Sequence, residues 1–245
     1  MRGVCLVVPC YNEARRLRGD AFLDFVRSRA DVSIAFVDDG SADRTLRTLE
    51  ELSAQDKDHL LVRSLAENRG KAEAVRQGVL HAASLGRFGF IGYWDADLST
   101  PLTELDRLLA ALDRHPDCHL ALGSRVKRLG SSIERNATRH YLGRIFCTVA
   151  SQLLDLPVYD SQCGAKIFRA ELADTLFADP FVTRWLFDVE LLVRLRNHFG
   201  PEGFLGAAIE VPLNAWHEVS GSKLNLAHMA RVPVELLRIR SRYAR

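Results

Sequence analysis

No glycine-rich phosphate turn, no cysteine pair, no membrane-length apolar run and no large excess of one charge occurs in this chain of 245 residues. Each absence closes off a class of function. Charged residues make up 26% and nearly cancel, to a net +2, so nothing global points to a polyanion, and no nucleic-acid partner is expected. Any anion site must be local. Cys5, Cys10, Cys118, Cys147 and Cys163 are odd in number and form no C-x-x-C pair, which argues against a zinc site and a disulfide framework and suits a reducing cytoplasm. The apolar start at 4–8 is too short for a signal segment, and no apolar run approaches the roughly 18 residues needed to cross a bilayer. After that start stands Val8-Pro9-Cys10-Tyr11-Asn12-Glu13 rather than G-x-G-x-x-G, which disfavours a dinucleotide-binding dehydrogenase. Sugar nucleotidyltransferases, which need a glycine-rich loop at the same place, fall behind with it. Gly70-Lys71 is not a Walker A motif either, because Leu65 replaces its first glycine and Ala72 its Ser or Thr.

What is present is 47% hydrophobic residue, enough to bury the core of one large α/β domain. Short β-branched runs at 4–8, 32–37, 60–65, 88–94 and 119–123 alternate with helical patterns at 12–29, 42–53, 70–85 and 102–114. This is the rhythm of β-α units building a mainly parallel sheet, with ligands at the carboxyl edge. Ser41 is placed to cap the second helix and Pro116 to stop the fourth. From 131 to 156 the spacing is helical, followed by a strand at 165–168, a helix near 187–198, a strand at 207–211 and a helix from 224. No repeat and no Ser/Gly-rich linker divides the chain, so a single domain over 1–245 is expected.

Two acidic loops fall at that carboxyl edge. Asp95-Ala96-Asp97 follows the strand at 88–94, and carboxylates one residue apart at a strand end can share a ligand; Mg²⁺ and Mn²⁺ favour such oxygen donors and complete their shells with water and phosphate. The alternative is that these aspartates cap the helix starting near Pro101. Val37-Asp38-Asp39-Gly40-Ser41 ends the second strand in the same way, either as a polar turn or as a site where donors on a ribose and base offset the paired carboxylates. Tyr11 either flanks a base or simply packs.

The ordered set of motifs resembles family 2 glycosyltransferases over nearly the whole chain. Beside the first loop and the two acidic loops it comprises Asn68 to Lys71, Leu122 to Arg125, Asp160 to Lys166, Trp185 to Leu191 and Trp216 to Lys223. Within that family the chain looks like the polyprenyl-phosphate sugar transferases, dolichyl-phosphate β-glucosyltransferase more than dolichyl-phosphate mannose synthase. The resemblance implies a GT-A type fold, a Rossmann-like, mainly parallel sheet flanked by helices. It also implies a nucleotide-sugar-binding half over 1–124 and an acceptor-binding half over 125–245. It implies that Pro9, Tyr11, Glu13, Val37 and Asp39 hold the nucleoside, and that Lys71, Ala96 and Lys223 join Asp95 in binding substrate. Asp95 and Asp97 take Mg²⁺ or Mn²⁺. Ser99 stands where the mannose synthases place a glutamine metal ligand. Asp97, Arg125 and Arg139 are the implied catalytic residues, the two arginines near the acceptor phosphate. Arg139 has a bland alternative as a solvated helix arginine.

A phosphate acceptor needs no general base, because its second pKa is about 6. Transfer to a sugar or lipid hydroxyl would need one, and Asp188 and Glu190 are the candidates, with helix-start acidic residues as their plainer reading. A nucleotide-sugar binding module without turnover is the reading from a different class. The implied partners are a nucleotide sugar such as UDP-glucose, a polyprenyl phosphate or other lipid acceptor, and a membrane surface, with no obligate protein partner evident. The expected location is cytoplasmic, with peripheral contact at the inner face of the membrane. The basic amphipathic segment from Leu224 either lies on an anionic membrane or packs as a final helix, with Pro233 expected to kink or divide it.

Overall fold

The computed structural model describes residues 3–134, 137–219 and 226–243, with the backbone alone for 137–145 and 226–231. In chain order the elements are β1 (Gly3–Cys10), α1 (Gly19–Ser28), β2 (Val32–Asp38), α2 (Thr45–Ser53), β3 (Leu60–Ser64), α3 (Lys71–Ser84) and β4 (Phe88–Trp94). There follow α4 (Leu105–Arg114), β5 (Leu120–Ser124), β6 (Ser132–Glu134), α5 (Ala137–Leu154), β7 (Ala165–Arg169) and α6 (Ala173–Phe177). The remainder are α7 (Phe187–Ala207), β8 (Ala208–Pro212), β9 (Ala215–His217) and α8 (Leu226–Tyr243). They pack as two compact units interleaved in sequence, residues 1–98 with 164–180 and residues 99–163 with 181–245. The strand at 120–124, expected with the first half, belongs to the second unit.

In the first unit the strand order is β3-β2-β1-β4-β7. The first four are parallel and β7 runs antiparallel to β4, with Trp94 opposite Ala165. β2 is buried at every residue, the mark of a strand covered on both faces. Helix α3 lies against β1, β2 and β4. It gets close through Gly78, where a Cβ would fall 2.4 Å from Val7 Cγ1 and 2.8 Å from Val37 Cγ2. Arg76, next to that contact, pairs with Glu73 and donates to the Ala178 carbonyl at 2.8 Å, which ties α3 to the end of α6.

In the second unit β5 pairs parallel with β8, and β6 parallel with β9. The buried Glu104 accepts the N–H groups of Asn214 and Ala215 at 3.1 and 2.9 Å, which anchors the approach to β9. The fully buried Glu190 accepts from Val182 N–H (2.9 Å), Arg194 Nη2 (2.8 Å) and the Tyr243 hydroxyl (2.8 Å), locking α8 to α7. Burial and the Glu190 carboxylate push the Tyr243 phenol up to about 12, so this bond persists through the physiological range.

The α/β fold with a mainly parallel sheet is as expected, and β4 has the expected bounds. Elsewhere local chemistry moved them. The first helix starts at Gly19 rather than 12, because Asn12 takes a left-handed φ of +53° and its loop is stitched to the next. The second starts at Thr45: the Asp43 carboxylate receives the Thr45 N–H at 2.9 Å, while Ser41, expected as the cap, accepts the Asn12 N–H at 3.0 Å. The stretch from 131 opens with β6, and α7 runs to Ala207 across a break at Gly200, φ +76°, before Pro201. Neither β9 nor α6 was expected. Pro233 does not divide α8, which continues to Tyr243 with Leu236 and Ile239 buried, so packing outweighs the lost N–H bond.

Gly78→Ala should force Val7 and Val37 aside and destabilise the chain by about 1–3 kcal/mol, measured as a lowered denaturation midpoint.

Candidate active site

The carboxyl edge of the first unit is assembled by main-chain contacts between loops. After β1, Asn12 donates its N–H to Ser41 and accepts the Ala42 N–H at 2.9 Å, while Glu13 and Ala14 N–H both reach Thr45 Oγ1. Gly40 holds φ +62° with its Cβ position 2.4 Å from the Glu67 carbonyl carbon, so the loop after β2 meets the loop after β3 backbone to backbone. Asp39, only 3% exposed, clasps that second loop: Oδ1 accepts the Arg69 N–H and Oδ2 the Gly70 N–H, each at 2.8 Å. Asp38 accepts from the Ser64 hydroxyl at 3.2 Å through Oδ2, whereas its Oδ1 is buried with no hydrogen-bond partner among the described residues.

Because the clasp ends at Gly70, α3 begins at Lys71, whose Nζ reaches Asp95 Oδ1 at 2.5 Å. Asp95 is held from below as well. Its N–H donates to the Gly164 carbonyl at 3.1 Å, and a Cβ on Gly164 would fall 1.8 Å from Asp95 Oδ2. The turn closes with Leu98 N–H on the Asp95 carbonyl at 3.2 Å and Leu98 at φ +52°, leaving Asp95 and Asp97 partly exposed and Ala96 buried between them. Pro9 and Tyr11 lie half-buried at the same edge. Glu13 is paired with Arg16 at 2.6 Å, and the Val37 side chain is core beneath α3, which leaves only its main chain for a ligand.

Asp95 and Asp97 supply two hard oxygen donors, and among the described residues no group of three or more His, Cys, Asp or Glu is arranged to hold a metal ion. Mg²⁺ and Mn²⁺ accept such a set, one or two carboxylates completed by water and substrate phosphates. The empty Cβ position at Gly164 lets the Asp95 carboxylate lie where a side chain would stand, so these residues fit the expected ion. Ser99 is buried.

In the second unit Arg125 follows β5. Its Nε and Nη2 bind Asp160 at 2.7 Å each, its N–H donates to the same carboxylate, and its guanidinium faces Trp216 with the carbon 5.5 Å from the ring centre. Burial opposes the charge, but Asp160 outweighs it and holds the guanidinium above its ordinary pKa. Asp160 is itself oriented by Glu210, which accepts the Asp160 N–H at 2.8 Å. Arg139 lies on α5 with its side chain outside the described residues, and Lys223 lies outside them altogether. Glu190, considered as a base for a hydroxyl acceptor, is corrected: it is fully buried and its oxygens are occupied by Val182, Arg194 and Tyr243. Asp188 is also buried, at 4% exposure.

The family model for glycosyl transferase family 2 matches residues 5–177. This chain belongs to that family. It is a nucleotide-sugar-dependent glycosyltransferase. Similar curated proteins include the dolichyl-phosphate beta-glucosyltransferases of Homo sapiens, 33% identical over 97% of this chain and 75% of the relative, and of Dictyostelium discoideum, 30% identical over 97% and 74%. Among solved structures, glucosyl-3-phosphoglycerate synthase from Mycobacterium tuberculosis, in complex with Mn²⁺, UDP and glucosyl-3-phosphoglycerate, superposes with a TM-score of 0.70 at 17% identity, covering 99% of this chain and 80% of that one. Mannosyl-3-phosphoglycerate synthase from Rubrobacter xylanophilus gives 0.70 at 18% identity over 98% and 73%. At these identities the structures establish the GT-A fold of the glycosyltransferase. Among its described residues no helix is long and apolar enough to cross a membrane.

Reading the sequence overlooked the seat of Asp95 on Gly164, its contact with Lys71 and the Asp160 partner of Arg125. The signal was there: Gly164 and Asp160 both stand in the motif from Asp160 to Lys166. Gly164→Ala should push the Asp95 carboxylate out of place and lower kcat/KM at least about tenfold, with the thermal midpoint nearly unchanged because only a side-chain end must move. Arg125→Ala, by contrast, strands Asp160 and should cost about 3–5 kcal/mol in denaturant unfolding, so lost turnover in that variant reports fold and chemistry together.

Proposed function

We propose that this glycosyltransferase moves glucose from UDP-glucose, with inversion, to the phosphate of a polyprenyl or dolichyl lipid. The observation that carries the donor side is the Asp95 carboxylate, set between the Lys71 ammonium and Gly164 beside Asp97. The acceptor follows the two relatives described above, dolichyl-phosphate beta-glucosyltransferases that are 30% and 33% identical over alignments covering 97% of this chain. UDP-glucose with Mn²⁺ is what one of the fold neighbours binds.

Pro9, Tyr11, Glu13, the Val37 main chain and Asp39 hold the nucleoside in this reading. Asp95 and Asp97 hold Mg²⁺ or Mn²⁺, which when bound offsets the charge of the diphosphate leaving group. Lys71 keeps Asp95 oriented and adds positive charge beside it, and Lys223 is assigned to the donor diphosphate. Asp160 takes two of the five N–H donors of Arg125, and we assign the others, with Arg139, to the acceptor phosphate. An acceptor phosphate oxygen attacks the anomeric carbon from the face opposite the diphosphate, and the bond to that diphosphate breaks. The nucleophile arrives ionised, so no carboxylate base is called for. A hydroxyl acceptor would need one, and Glu190 cannot serve. The lipid acceptor implies work at a membrane surface from the cytoplasmic side.

Purified chain with Mn²⁺ or Mg²⁺, UDP-glucose and a short polyprenyl phosphate should yield a glucolipid, and a chelator or Asp97→Ala should reduce its formation at least about a hundredfold. Glucose transfer to a hydroxyl acceptor with none to the phosphate would overturn the proposal.

A further inference from the structure

Of the eight large apolar side chains exposed among the described residues, seven belong to the second unit. One stands apart. Leu129 is 101% exposed, as open as a leucine in an extended peptide, and lies on a turn where Lys127, Arg128 and Gly130 are exposed as well. The turn is nonetheless built. Arg128 donates its N–H to Ser131 Oγ at 3.0 Å, the Ser131 hydroxyl and N–H return to the Arg128 carbonyl at 2.7 and 3.1 Å, and Arg128 Nη2 reaches Asn214 Oδ1 at 2.7 Å. Gly130 supplies the left-handed corner at φ +81°. The base of the turn is therefore closed, and Leu129 is held outward at its tip.

A leucine held outward and preceded by two exposed cations suits one kind of surface. A protein partner needs on the order of 1,000 Å² with several anchors, which a convex turn bearing a single leucine does not offer. An anionic bilayer takes such a wedge directly: the leucine enters the headgroup and acyl boundary, about 5–10 Å deep, while the lysine and arginine stay with the lipid phosphates. The turn also begins two residues after Arg125, and four residues of extended chain span at most roughly 14 Å. A leucine at the acyl boundary thus keeps Arg125 within reach of the headgroup level, where the phosphate of a polyprenyl lipid lies.

We propose that the 127–130 turn, with Leu129 at its tip directly after Lys127 and Arg128, docks the second unit onto an anionic lipid surface. The inference rests on the lipid-phosphate acceptor of the preceding section. On vesicles of phosphatidylcholine and phosphatidylserine, Leu129→Asp should lower the partition coefficient of the full chain roughly tenfold, and Lys127→Glu should lower it further at low salt than at high salt. A Leu129→Cys chain carrying an environment-sensitive fluorophore should shift to the blue on those vesicles, the five native cysteines being buried. Partitioning of Leu129→Asp equal to that of the unaltered chain, or an unshifted fluorophore, would sink the idea. So would Leu129-dependent self-association in sedimentation without vesicle binding, which would assign the tip to a second copy. Glucolipid synthesis on the same vesicles separates the two readings: synthesis with a vesicle affinity indifferent to Leu129 overturns the docking turn alone, whereas Leu129-dependent binding with no polyprenyl phosphate used overturns the acceptor alone.

Discussion

Asp39 is the constraint from which the rest of the carboxyl edge of the first unit follows. Its two oxygens receive consecutive main-chain N–H groups, Arg69 and Gly70, and so set where α3 begins. The first residue of that helix is Lys71, and its ammonium therefore arrives at Asp95. An apolar side chain at 39 would remove the acceptor from both part-buried N–H groups and leave the start of the helix unplaced. Gly40 and Gly164 complete the arrangement by absence, one letting two backbones meet and the other giving the Asp95 carboxylate its seat.

The second unit relies on charges of another kind. Arg125 with Asp160, and Glu190 with Arg194, are buried ion pairs whose remaining hydrogen bonds go largely to main chain and, for Glu190, to the Tyr243 hydroxyl. Such pairs add little net stability but are costly to break, so they fix position more than they hold the fold together. Arg194 also stands over the Phe181 ring at 4.2 Å, and this joins the loop before α7 to the same cluster.

The β-α rhythm and the acidic strand ends were legible because alternating apolar runs and clustered carboxylates leave periodic and local marks. Helix starts were not. Asn12 with Ser41, and Asp43 with Thr45, trade hydrogen bonds between side chain and main chain across a loop, and spacing alone cannot say which partner wins. Glu190 looked like any acidic residue in a first helical turn; Tyr243, 53 residues later, completes its coordination.

The sequence by itself determined an α/β chain of glycosyl transferase family 2, because alternating runs and an ordered set of short motifs are properties of the chain read along its length. It also named Asp95, Asp97 and Arg125. Only the tertiary structure decided the surroundings of each side chain: Lys71 and Gly164 for Asp95, Asp160 for Arg125, α3 for the Val37 side chain, and full exposure for Leu129. Those partners lie tens of residues away or are missing altogether, and contact across such distances is set by the packing of strands and helices rather than by local preference.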